Sequence, residues 1–110
     1  MMANPTVSVA DARALLEGGA TVVDVRELDE WRLGRIEGSI HIPLGDIPDR
    51  ASELPAGQLI CVCRSGSRSL VATRFLNREG REAVNLDGGL LAWFLDGEPL
   101  VADHDHPSVG

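Results

Sequence analysis

Short apolar runs alternate with segments of helical spacing along this chain, and that alternation limits the possible folds most strongly. Thr21–Val25, Leu59–Val62 and Ala83–Leu86 are rich in β-branched or aliphatic residues, which is typical of buried strands. A segment with helical periodicity follows each of them. Strands that alternate with helices in this way predict a mostly parallel sheet covered by helices on both faces, a three-layer α/β/α domain.

Residues with helix-ending and helix-capping preferences mark the ends of the predicted helices. Ser8 is a predicted N-cap, and Gly18-Gly19 ends the first helix. Apolar side chains recur at helical spacing in four further segments. These are Leu28–Leu33, the stretch from Leu44 to Leu54 between two prolines, Leu70–Arg78, and the residues that follow Gly88-Gly89.

Length, charge and composition limit the classes of function that the chain can have. The 110 residues suit one domain over 1–100, and we expect the polar residues 101–110 to form a flexible tail. A formal net charge of −7 argues against nucleic acid and anionic membranes as partners. All ten basic residues are arginine, so lysine-dependent cofactor and nucleotide sites are excluded and no cofactor is expected. Neither a signal peptide nor a membrane-spanning run is visible, which favours the reducing cytoplasm.

The stretch CVCRSGSRS holds both cysteines at a predicted strand-to-helix junction. Gly66 permits a tight turn, and the helix N-terminus together with Arg64 and Arg68 favours negative charge. These features lower the pKa of a thiol, and the thiolate is the nucleophilic form, so Cys63 is a candidate nucleophile. The alternative is an ordinary polar turn, since serine, glycine and arginine are common in such junctions.

The other cysteine has a different predicted role. Cys61 lies two residues earlier on the same strand, so it shares a face with Cys63 and is expected to be a small buried core residue. A disulfide between the two is not expected at this spacing. Metal binding is not expected either, because His41 is the only other plausible ligand outside the tail.

Polar residues follow three of the predicted strands. Asp24 and Arg26, the loop Cys63–Arg68, and Asp87-Gly88-Gly89 each come at a strand end. Because the carboxyl ends of parallel strands meet at one edge of a sheet, we expect the three segments to converge there.

Three segments together resemble the signatures of single-domain rhodaneses, and the resemblance covers about Val7–Pro99. The three motifs occur in order and at the family's spacing, which makes the resemblance specific. They are VVDVRELDEWRLGRIEGSIHIPL at Val22–Leu44, CRSGSRS at Cys63–Ser69, and LDGGLLAW at Leu86–Trp93 with its paired Gly88 and Gly89.

The resemblance implies a thiosulfate or persulfide sulfurtransferase with the rhodanese-like α/β/α fold. Cys63 would take a sulfane sulfur from a small anion such as thiosulfate and pass it, as a persulfide, to a small thiol, a protein thiol or cyanide. Arg64, Ser65, Gly66, Ser67 and Arg68 would form the loop around it, with Ser69 beginning the helix body. A sulfur-relay or regulatory module that binds a partner protein and turns over little thiosulfate is the alternative.

Loop length separates this family from related phosphatases. Four residues lie between Cys63 and Arg68, whereas phosphatases of similar fold have one more. The shorter loop suits a single sulfur atom better than a tetrahedral phosphate.

The remaining polar and aromatic residues have simpler expected roles. Arg64 is expected to face substrate, whereas Arg68 has two open roles, substrate binding and bracing of the loop. Asp24 and Arg26 are expected to form a structural ion pair, and His41 is expected to be structural. Aromatic side chains are expected in the core, with one of them also a candidate for the site rim; they are Trp31, Trp93 and Phe94.

Overall fold

A computed structural model describes residues 5–110, which form one five-stranded sheet with helices on both faces. The strand order is β1-β5-β4-β2-β3, and every strand pair is parallel. The predicted α/β class and parallel sheet are therefore confirmed. The strands are β1 Thr6–Val7, β2 Thr21–Asp24, β3 Ile40–His41, β4 Gln58–Val62 and β5 Glu82–Leu86.

The helices follow the predicted segments closely. Ser8 caps the first helix as predicted, since its hydroxyl accepts a hydrogen bond from the Asp11 N–H at 3.1 Å. The α-helices are α1 Val9–Glu17, α2 Leu28–Leu33, α3 Ile47–Arg50, α4 Ser67–Arg78 and α5 Gly89–Leu95.

The stretch from Leu44 to Leu54, predicted as one helix, is divided into three short pieces. Helix α3 lies between two 3₁₀ turns, Leu44–Asp46 and Ala51–Glu53. Pro48 has no N–H to donate to the Leu44 carbonyl, so a continuous α-helix cannot form there.

Alternate residues of the central strands enter two hydrophobic clusters, one on each face of the sheet. In β4, Leu59 and Cys61 belong to one cluster and Ile60 and Val62 to the other. Cys63 continues the first set, so the two cysteines share a face as predicted. Because helices cover both faces of the sheet, we expect ligand-binding and reactive groups at the carboxyl ends of its strands.

The C-terminal residues contact the domain, in contrast to the loose tail expected for 101–110. Val101 forms an antiparallel bridge with Arg35, and the Ser108 N–H donates to the Leu33 carbonyl at 2.8 Å. The Val109 side chain is buried in the second cluster. Burial of an apolar side chain lowers the free energy of the folded protein, which accounts for the packing of Val109.

Of the three aromatic side chains expected in the core, Trp93 is buried, Trp31 is half-buried and Phe94 is exposed. Phe94 is 46% exposed rather than in the core, because α5 presents Leu90 and Trp93 to the sheet and Phe94 lies off that face. Trp93 is buried and its indole N–H donates to the Pro99 carbonyl. Within residues 5–110, no helix has the length and apolar character needed to cross a membrane.

Candidate active site

The strand-end segments meet at one edge of the sheet, as expected from their positions. The Leu90 N–H donates to the Cys63 carbonyl at 2.9 Å, and the Leu91 N–H donates to the Arg64 carbonyl at 3.0 Å. Gly89 lies so close to this loop that an added Cβ would stand 2.6 Å from the backbone of Cys63 and Arg64. The start of α5 therefore supports the backbone of the cysteine loop directly.

Substituting Gly89 by alanine is expected to destabilise the protein and displace the loop. Its φ is +63°, and the new Cβ would clash with backbone that cannot move away. Gly97→Ala is the matched control, because Gly97 also has a positive φ, +84°, but has open space around it. We expect Gly89→Ala to lower the free energy of unfolding by at least about 1 kcal/mol more than Gly97→Ala, measured by urea denaturation. Equal losses would contradict the close approach.

The Cys63 sulfur lies at the N-terminus of α4 and is almost fully buried. It accepts a hydrogen bond from the Gly66 N–H at 3.1 Å and lies 3.3 Å from the Ser69 hydroxyl. Burial of the sulfur opposes ionisation, but the hydroxyl and N–H of Ser69 and the N–H groups of Gly66 and Ser65 outweigh it. The pKa of the Cys63 thiol therefore lies below its usual value, which favours the thiolate.

Gly66 allows the chain to turn between β4 and α4. It is the N-cap of α4 and has a φ of +108°, a conformation that residues with a Cβ rarely adopt. This conformation accompanies the hydrogen bond from its N–H to the sulfur.

The surroundings of Cys61 shift its thiol pKa in the opposite direction. It is fully buried, and burial raises the pKa of its thiol to about 11 despite a hydrogen bond with Thr73. Of the two free thiols, only Cys63 has a lowered pKa.

Asn85 is a site residue that the sequence analysis missed. Its amide group donates to the Gly66 carbonyl at 3.1 Å, and its Oδ1 lies 2.5 Å from the Ser69 hydroxyl oxygen, whose one proton is shared between Oδ1 and the Cys63 sulfur. The side chain thus holds both residues that contact the Cys63 sulfur. The available signal was a polar residue within the otherwise apolar run Ala83–Leu86.

Substituting Ser69 by alanine is expected to raise the pKa of the Cys63 thiol, because the side chain that contributes most to lowering it is removed. The rate of Cys63 alkylation by iodoacetamide, measured against pH, should then have its midpoint at higher pH. Ser67→Ala removes an exposed hydroxyl from the same loop and is the control, for which we expect a smaller shift. A midpoint at the same or lower pH in Ser69→Ala would contradict this assignment.

Arg68 is held by a carboxylate from α2. Its two terminal nitrogens donate to the Glu30 carboxylate at 2.7 and 2.9 Å. The hydrogen bond from Arg68 is the largest influence on Glu30 and lowers its pKa to about 2, so the pair is ionised at neutral pH. Arg64 is exposed, and within residues 5–110 its guanidinium forms no ion pair.

Asp24 and Arg26 form a fully buried ion pair beneath this edge. The Arg26 Nε and Nη2 atoms donate to the Asp24 carboxylate at 2.8 to 3.1 Å. Its remaining N–H groups donate to the carbonyls of Glu30, Gly34 and Val109. This single guanidinium therefore joins β2, helix α2 and the C-terminal segment.

His41 also contacts the region of the Asp24–Arg26 ion pair. Its Nε2–H donates to the Arg26 carbonyl at 2.7 Å, and its ring stacks on Trp31 with centroids 4.8 Å apart. In the described part of the chain, no group of three histidine, cysteine or acidic residues is placed to hold a metal ion.

Comparison with known proteins assigns the family. The profile of the rhodanese-like domain matches residues 8–96, a range that contains every site residue described above. The chain belongs to this family. The putative sulfurtransferase YtwF of Bacillus subtilis is 38% identical over 73 residues, covering 66% of this chain and 71% of YtwF. Thiosulfate sulfurtransferase 18 of Arabidopsis thaliana is 34% identical, covering 94% of this chain and 88% of the relative.

The fold comparison agrees with the sequence comparison. A crystal structure of a rhodanese-related protein from Thermoplasma volcanium matches with a TM-score of 0.84 and 31% identity. The match covers 89% of the present chain and 98% of the Thermoplasma chain. The resemblance drawn from the three sequence motifs is thereby confirmed.

Proposed function

We propose that this rhodanese transfers a sulfane sulfur from thiosulfate or a persulfide donor to a thiol or cyanide acceptor, through a persulfide on Cys63. The observation that carries the proposal is the pair of hydrogen-bonding groups at the sulfur, the Gly66 N–H at 3.1 Å and the Ser69 hydroxyl at 3.3 Å. Together with the start of α4 they favour a thiolate over a thiol. Both relatives named above carry sulfurtransferase in their names.

In the first half-reaction the Cys63 thiolate attacks the outer sulfur of thiosulfate. A sulfur–sulfur bond to Cys63 forms, the bond to the sulfonate sulfur breaks, and sulfite leaves with the electron pair. In the second half-reaction an acceptor attacks the terminal persulfide sulfur and the Cys63 thiolate leaves. With cyanide as acceptor the product is thiocyanate, and with a thiol it is a new persulfide.

The size of the loop suits a sulfur atom. Four residues separate Cys63 from Arg68, and the Gly66 N–H already lies within hydrogen-bond distance of Sγ. We infer that the N–H groups of Arg64, Ser65, Gly66, Ser67 and Arg68 surround the terminal persulfide sulfur and hold its negative charge, as an oxyanion hole holds oxygen. A thiol nucleophile of this kind works in a reducing compartment such as the cytoplasm.

The test is turnover by the purified protein. Offered thiosulfate and cyanide, it should form thiocyanate with ping-pong kinetics, because donor and acceptor react with Cys63 in separate steps. Failure to form thiocyanate from thiosulfate or from any persulfide donor would contradict the proposed function. Loading of Cys63 only by a partner protein would instead indicate the sulfur-relay alternative.

A further inference from the structure

Glu30 lies against the active loop although it belongs to α2, far from the loop in sequence. Its carboxylate makes two hydrogen bonds with Arg68 and accepts a third from the Glu27 N–H at 3.1 Å. The Glu30 and Arg68 side chains are only 22% and 36% exposed. A bidentate pair that is partly shielded from water is well defined in geometry and weakly screened by salt.

This pair determines how much positive charge the loop offers to a substrate. The loop has two arginines, and Glu30 neutralises the charge of Arg68. Arg64 remains exposed without an ion pair among the described residues. The site therefore offers one unbalanced guanidinium rather than two. A donor with two negative charges needs more compensation than a donor with one, because each uncompensated charge loses hydration on entering the site.

We propose that Glu30 is a specificity-determining residue, which by pairing with Arg68 favours singly charged sulfane-sulfur donors, such as organic persulfides, over doubly charged thiosulfate. This inference rests on the proposed function of Cys63. It assigns Glu30 to the choice of donor and leaves the transfer step to the thiolate. Glu30 acts on the substrate through Arg68, so its effect depends on donor charge.

Two small donors differ in net charge but transfer sulfur by the same reaction. Thiosulfate and the methanethiosulfonate anion present the same outer sulfur bonded to an oxidised sulfur, but the second carries a methyl group in place of a charged oxygen. Attack by the Cys63 thiolate gives the same persulfide in both cases, with sulfite leaving from the first and methanesulfinate from the second. The ratio of the two kcat/KM values therefore reports the site's response to donor charge.

The central variant is Glu30→Gln, which keeps the side-chain length and the oxygen that accepts from the Glu27 N–H. It leaves the charge of Arg68 unbalanced. We expect kcat/KM for thiosulfate to rise about three- to tenfold relative to that for methanethiosulfonate, mostly through a lower KM. Thiocyanate formed with cyanide as acceptor is the readout for both donors.

Two further variants make the test specific. Asp29→Asn removes the same charge from an exposed position on α2, and its ratio should change by less than about twofold. Arg68→Gln leaves Glu30 unbalanced, and its ratio should move in the opposite direction, toward methanethiosulfonate. Loss of structure alone would not move two variants in opposite directions.

The outcomes separate this inference from the proposed function. A wild-type protein that forms no thiocyanate with thiosulfate, methanethiosulfonate or an organic persulfide would overturn the function itself. Normal wild-type turnover, with Glu30→Gln showing an unchanged ratio or a shift toward methanethiosulfonate, would overturn the role of Glu30 alone. A shift of equal size in Asp29→Asn would also overturn it, because the effect would then be general surface charge.

Discussion

Replacing Cys63 by serine is expected to abolish sulfur transfer. A serine hydroxyl has a pKa far above that of a thiol, and it cannot form a persulfide, so the covalent intermediate is lost. Thiocyanate formation from thiosulfate and cyanide should fall by at least about a thousandfold, to the uncatalysed rate. The substitution is nearly isosteric at a buried position, so the melting temperature should change little although the activity is lost.

Cys61→Ala is the matched control for this result. Cys61 is fully buried with its pKa raised to about 11, so it is not ionised at neutral pH. Removing its sulfur leaves a small cavity and should cost roughly 1 kcal/mol of stability while most of the activity remains. Equal activity in Cys63→Ser, or complete loss in folded Cys61→Ala, would contradict the assignment of the nucleophile.

Arg26→Met is expected to cause the largest loss of stability. Arg26 and Asp24 are both fully buried, and their charges compensate each other. Methionine has a similar volume but leaves Asp24 as a buried charge without a counterion, and the carbonyls of Glu30, Gly34 and Val109 lose their donors. The free energy of unfolding from guanidinium chloride denaturation should fall by about 3–5 kcal/mol.

Arg50→Met is the corresponding surface control. Arg50 pairs with Glu53 at 3.1 Å, but the two side chains are 40% and 53% exposed. Such solvent-exposed pairs contribute little to stability, so little change is expected. Similar losses in the two variants would show that burial does not give the Asp24–Arg26 pair its importance.

Local patterns in the sequence predicted most of the fold. Short β-branched or aliphatic runs identified β2, β4 and β5, and helical spacing identified α1, α2 and α4 to within a few residues. The two-residue strand β1, Thr6–Val7, was not predicted, because two residues are too few to form a recognisable apolar run. The edge where the site lies followed from the parallel arrangement itself.

Contacts between distant segments could not be predicted in the same way. The sequence left open whether Arg68 binds substrate or braces the loop, and only the fold brings Glu30 to within 2.7 Å of it. Asn85 lies within the mostly apolar run Ala83–Leu86, and its contacts with Gly66 and Ser69 depend on how β5 lies beside the loop. Val109 is an isolated apolar residue near the end of a mostly polar segment, where periodicity carries no information.

The most direct measurement of the central claim is the mass of the cysteine peptide after incubation with thiosulfate. Cleavage after Arg50 and Arg64 gives one peptide that contains both cysteines, so fragmentation between them must locate any added sulfur. After alkylation with iodoacetamide, we predict one extra sulfur atom on Cys63, none on Cys61, and loss of that sulfur when cyanide is added before alkylation. Extra sulfur on Cys61, or no gain of sulfur from thiosulfate, methanethiosulfonate or an organic persulfide, would contradict a persulfide carried by Cys63.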